Sequence, residues 1–220
     1  MNTHSTDHVS WWMNRRGALL AGLLGLWALA RGAGAQPRSG PTAWIQLRHA
    51  AVQRALQGSH PAGSPQAQAR DEQVARLLNG MIDVEELSRR SLDPHWEART
   101  VAERGEYVAL LRRLIDRSYR QNLQDTLGWA VTWEAETVAD SGTEGTVRSV
   151  ARSRTDPRAA PVRIEYRLRR SPGGAGVIWD LVTNGSSLVQ TYHDSYTRIV
   201  RERGFEELLR RLRVRAQASN

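Results

Sequence analysis

The 220-residue chain has no cysteine, no lysine and a single phenylalanine. Without cysteine there is no disulfide scaffold, no thiol nucleophile and no cysteine metal site, so the fold must be held by burial alone. Without lysine there is no Schiff-base chemistry and no phosphate-loop lysine; all 31 basic residues are arginine. Long apolar runs are also missing. The stretch from Ala18 to Ala30 spans 13 residues, whereas a membrane-crossing helix needs roughly 20.

That short run has another use. Arg15 and Arg16 precede it and Ala33-Gly34-Ala35 follows it, which is the layout of an export signal with a small-residue cleavage site. Residues 1–35 are therefore read as a cleaved signal peptide and 36–41 as a linker, with Met13 an alternative start. The paired arginines suit either general or twin-arginine export. Such a signal takes the chain out of the cytoplasm. The formal charge of +8 becomes about +6 once the signal is removed, a balance that favours anionic partners. Arg89-Arg90, Arg112-Arg113 and Arg210-Arg211 lie beside apolar helical stripes without interleaved aromatics, so they read as solvated faces and not as a nucleic-acid platform.

The first half of the mature chain is helical. Trp44, Leu47, Ala51 and Ala55 recur at helical spacing, and Val74, Leu77, Leu78 and Met81 mark a second helix closed by Asn79-Gly80. Asp83 caps a third helix through Leu92, which Asp93-Pro94 stops. Thr100 with Glu103 forms a capping box for a long helix with Tyr107, Leu110, Leu111, Leu114 and Ser118 on one face.

Beyond Gly128 the pattern changes to strands: Trp129 to Ala139, Gly145 to Arg154, Pro161 to Arg170 and Gly176 to Thr183. In the third, Val162, Ile164, Tyr166 and Leu168 alternate with charged residues, so one face is buried and the other wet. Short turns join the runs, which predicts a four-stranded antiparallel meander. Its apolar face must be covered. The helices opening at Thr100 and Ser187 are the candidates for that cover. Asn184-Gly185 is turn chemistry, and Ser187 with Gln190 reads as a second capping box. Leu188, Val189, Tyr192, Tyr196 and Ile199 then define a helical face; Gly204 ends it, and Phe205, Leu208, Leu209 and Leu212 begin another.

Two segments carry a family resemblance. Leu181 to Arg213 gives a strand, the turn Asn184-Gly185-Ser186-Ser187-Leu188-Val189, a long helix and a short helix opening at Gly204-Phe205. Ile82 to Leu92, with Trp96 and Thr100 to Arg104, is the other, and the match continues through Tyr119 and Leu123. Together, over roughly residues 70 to 214, the chain resembles the MlaC or toluene-tolerance family of periplasmic phospholipid-binding proteins. Asp93-Pro94, Arg104 and Ile82 depart from the family pattern, and they fall at a turn and on a wet helix face.

The resemblance implies one α+β domain over 42–216, NTF2-like in overall character. It has a helical part (42–126), a curved antiparallel sheet (129–184) and two C-terminal helices (187–214). It implies a monomeric, non-enzymatic lipid carrier without cofactor or metal. Its partners would be a phospholipid, an inner-membrane ABC transporter complex and an outer-membrane lipoprotein and porin complex. Such a carrier serves outer-membrane lipid asymmetry; a carrier of hopanoid-type lipid is the alternative within the same fold. Tyr107, Leu111, Leu114, Trp133, Ile164, Tyr166, Leu168, Trp179, Leu181, Leu188 and Tyr192 are the candidates for a lipid-binding wall. A stripe alone does not distinguish such a wall from ordinary core.

A pocket enzyme of the same layer type would pair a buried carboxylate with a tyrosine or histidine. Asp180 is the candidate carboxylate, but His49, His60, His95 and His193 are scattered, and no serine elbow or metal-ligand spacing accompanies them.

Overall fold

The computed structural model describes residues 40–57, 60–61, 63–121, 127–170 and 176–217. The expected export signal, the expected linker as far as residue 39 and the turn expected at 171–175 lie outside them.

Four helices come first. Helix α1 spans Pro41–Leu56, with proline at its first turn. Its buried residues are Ile45, His49, Val52 and Leu56, while Leu47 is 65% exposed. The helix was legible but its face was not. Two stripes of the same period run along it, and the one that packs contains a histidine, which hid it from a reading by apolar residues. Helix α2, Pro65–Asn79, is capped by Ser64 accepting the Ala67 amide at 3.2 Å. Helix α3, Val84–Leu92, is capped by Asp83 accepting the Glu86 amide at 3.0 Å. The Glu86 side chain in turn pairs with Arg89 and Arg90. The Arg89 guanidinium, seconded by Arg90, holds the Glu86 carboxyl at about 2, below the usual carboxylate range. Helix α4, Val101–Gln121, opens on the expected reciprocal box: Glu103 N donates to Thr100 Oγ1 at 3.2 Å and Thr100 N to Glu103 Oε2 at 2.7 Å.

The sheet is an antiparallel meander of β1 (Trp129–Val138), β2 (Glu144–Ser153), β3 (Val162–Arg170) and β4 (Gly176–Thr183), in that order. A fifth strand, β5, adds only Ser186–Ser187 beside β4. The four expected strands are therefore joined by one two-residue edge piece, where the turn at Asn184-Gly185 folds the chain back. Register builds cross-strand rows on the inner face: Val138–Gly145–Leu168–Ile178, then Glu136–Val147–Tyr166–Leu181, then Trp133–Ser149–Ile164–Thr183, then Val131–Ala151–Val162.

Two bulges bend this sheet. One lies at Glu134, between Trp133 and Ala135 of β1. The other lies at Trp179, because Asp180 faces Arg167 while Ile178 faces Leu168. A bulge turns its extra residue away from strict alternation. Trp179 and Leu181, expected on one sheet face, therefore lie in different cores: Leu181 on the inner face and Trp179 in the helical cluster behind it.

Helix α5, Leu188–Arg203, and helix α6, Phe205–Gln217, complete the chain. Gly204 joins them at φ 86°, a backbone angle that disfavours any side chain. The second box is only half made. Ser187 Oγ accepts the Gln190 amide at 3.0 Å, but the Gln190 side chain donates to Asp194 instead of returning to residue 187.

Two hydrophobic cores result. In the first, α1 and α2 cover the inner face of the sheet. In the second, α3, α4, α5 and α6 pack on one another and on Trp179. The helices beginning at Thr100 and Ser187 thus do not cover the inner face, contrary to the sequence-based expectation. The covering role falls to the two N-terminal helices. The alternating pattern of β3 shows that a cover is needed but says nothing of which helix supplies it.

Candidate functional site

Helix α1 lies along the inner face with its N-terminus at the open end of the sheet. Its first turn has no capping side chain of its own, because Gly40 occupies the N-cap. Glu136, brought round to the inner face beyond the β1 bulge, supplies the missing acceptor: its Oε2 takes the Thr42 amide at 2.8 Å across 94 residues of chain. A carboxylate there also suits the positive end of the helix dipole. A Cβ on residue 40 would stand 2.8 Å from Glu136 Oε1, so a larger residue there would make the carboxylate shift.

Beside this junction opens a groove of about 620 Å³ between α1 and the ends of all four long strands, within the roughly 300–1,000 Å³ of small-molecule sites. Its apolar lining comes from Pro41, Trp44, Leu47, Val138 and Leu168, and its polar rim from Glu136, Glu144, Arg169 and Arg170. Arg169 is anchored by donating to Asp83 at 2.6 Å, which joins the rim to the cap of α3. Trp44 carries the Arg48 guanidinium over its ring at 5.5 Å. The groove is therefore an apolar floor edged with charge, and its floor is continuous with the first core through Leu168, against which Trp44 packs.

Deeper along α1, His49 is buried and meets the Trp133 ring edge-on at 5.8 Å; Trp133 lies at the same distance from Tyr166. Burial lowers the His49 pKa to about 4, so it is neutral at physiological pH. Burial likewise raises the Tyr166 phenol, tempered by the neighbouring Ser149 hydroxyl.

The eleven wall candidates divide between the cores. Trp133, Ile164, Tyr166, Leu168 and Leu181 belong to the inner-face core, and Leu168 reaches the groove itself. Tyr107, Leu111, Leu114, Trp179, Leu188 and Tyr192 belong to the helical core. There Tyr107 shares a 2.9 Å hydrogen bond with Ser91 and packs edge-on against Tyr196, while Tyr192 stacks on Tyr196 at 5.2 Å. Burial pushes the Tyr192 phenol up to about 12. The Arg90 guanidinium lies 3.8 Å over the Trp179 ring. Residues of α1 were missing from the candidates, Trp44 and His49 above all. The available signal was the amphipathic run of α1, which could have nominated it as the cover.

Asp180 has a structural occupation. It is 1% exposed; its Oδ1 accepts the Val189 amide at 3.0 Å and its Oδ2 accepts from Ser187 Oγ at 2.7 Å and Arg167 Nη1 at 3.2 Å. It thereby satisfies the second orphan amide of α5 while Ser187 satisfies the third. Among the described residues no cluster of histidine and carboxylate side chains is arranged to hold a metal ion.

Comparison with known proteins bears on this geometry. Among solved structures, the chain is similar to a phospholipid-binding protein from Ralstonia solanacearum, determined in complex with a phospholipid. The TM-score is 0.69 and the identity 20%, over 81% of this chain and 97% of that one. No curated protein sequence matches. The family model described as MlaC protein matches residues 48–214, which covers the whole sheet, nearly all of both cores and the C-terminal half of α1. The chain belongs to the MlaC family.

Proposed function

We propose that this protein is a periplasmic phospholipid carrier that holds acyl chains between α1, α2 and the inner face of the sheet, with the headgroup at the groove. The observation that carries the reading is the groove itself, an apolar floor that runs into the core beneath a charged rim. An acyl chain leaving water gains about 0.8 kcal/mol per buried methylene. A phosphate must stay where water or arginine can reach it. Trp44, Leu168 and Val138 meet the first need, and Arg169 and Arg170 stand at the place of the second. Transfer runs between an outer-membrane complex and an inner-membrane ABC transporter, with no covalent step. Family membership supports this reading, as does the phospholipid bound to the similar Ralstonia protein.

Gly176 offers a direct test. A Cβ there would touch Trp44 at 3.7 Å and Leu168 at 3.8 Å, ordinary contacts, so a larger side chain fits the backbone and fills the groove. Gly176→Leu is expected to cut phospholipid uptake from vesicles at least tenfold while leaving the melting temperature near that of wild type. Undiminished uptake by a folded Gly176→Leu protein would show that lipid does not enter here.

A further inference from the structure

Of the two inner-face rows nearest the groove, one is apolar throughout and the other carries Glu136 at the rim and the Tyr166 phenol beside Ser149; the row farthest in, Val131–Ala151–Val162, is apolar throughout. Between them the row Trp133–Ser149–Ile164–Thr183 interrupts the hydrocarbon with two hydroxyls. Ser149 is 1% exposed and Thr183 4%. The Thr183 Oγ1 atom is buried and has no hydrogen-bond partner among the described residues. Valine has the same shape without the desolvation cost, so a purely hydrocarbon chamber would be better served by it. Opposite the row stands a further polar group, neutral His49 against Trp133.

The depth of this belt follows from the strand. Ser149 is four residues along β2 from Gly145 at the groove, hence about 14 Å inward at ~3.4 Å per residue. Ester carbonyls remain beside the headgroup at the groove, so they do not reach it.

On the carrier reading above, we infer that the belt selects lipids bearing a hydroxyl well down the apolar body, about 14 Å from the headgroup end, with Thr183 as a specificity-determining residue. In a bilayer such a hydroxyl lies among acyl chains with no partner; in this chamber it gains one. A single net hydrogen bond corresponds to about fivefold in affinity.

The test uses protein freed of co-purified lipid and vesicles containing equal amounts of stearoyl and mid-chain hydroxystearoyl phosphatidylethanolamine, with the bound lipids counted by mass spectrometry. Wild type is expected to enrich the hydroxylated lipid about fivefold. Thr183→Val is expected to lose that enrichment, still take up the plain lipid, and melt no lower than wild type without ligand. Equal uptake of both lipids by wild type overturns the inference and leaves the carrier reading standing. So does an enrichment that survives in Thr183→Val, or a ligand-free Thr183→Val protein that melts clearly lower, since the hydroxyl then serves the fold. Failure of wild type to take up either lipid overturns both.

Discussion

Truncating Asp180 to alanine tests whether this buried carboxylate is a fold-forming cap or a catalytic group. The substitution leaves the Val189 amide buried without an acceptor, at about 1–3 kcal/mol, and removes the charge-assisted bond from Ser187, at about 1.5 kcal/mol. The pair with Arg167 counts for little, because that side chain is 39% exposed and screened by water. The net loss is about 3 kcal/mol, which at ~2–4 °C per kcal/mol for a chain of this size lowers the melting temperature by about 6–12 °C. Asp180→Asn keeps an oxygen for Val189 and is expected to lose about 1 kcal/mol, or roughly 2–4 °C. Circular dichroism melts of the two variants with wild type settle the matter. If Asp180→Ala melts within about 2 °C of wild type, or if the asparagine variant is as damaged as the alanine variant, the capping account of Asp180 fails.

Three further outcomes follow from the same structure. His49 has an ordinary pKa of 6.5 when unfolded and about 4 when buried. The unfolded chain therefore binds the extra proton between those values, and stability falls as pH drops: about 2 kcal/mol between pH ~7.5 and ~5 by urea titration, a loss absent in His49→Gln. Gly204→Ala places a side chain at φ 86° and is expected to destabilise by about 1–3 kcal/mol, measured by the same titration. Thr100→Ala removes one half of the α4 box and is expected to cost about 1 kcal/mol by thermal melt, with no effect on lipid uptake.

Local chemistry was legible in the sequence wherever a few neighbouring residues decide the outcome. Asp83, Thr100 and Ser187 cap the helices they were expected to cap, and the alternation of Val162, Ile164, Tyr166 and Leu168 gave the buried face of β3. Pairings decided at long range were not legible. The β4 bulge that parts Trp179 from Leu181 depends on register against β3, the cap that Glu136 places on α1 spans 94 residues, and the choice of α1 as cover depends on a face that includes His49. The candidate wall suffered for the same reason. A stripe shows that a helix has a buried side, but Tyr107 and Tyr192 bury theirs in a helical core behind the sheet.

The central claim is that lipid occupies the space between α1, α2 and the sheet, and native mass spectrometry of the protein isolated from the cells that make it tests it most directly. The account predicts a mass excess that extraction identifies as phospholipid and that Gly176→Leu abolishes. Wild-type protein that emerges at its bare polypeptide mass, and stays there after incubation with phospholipid vesicles, would contradict it.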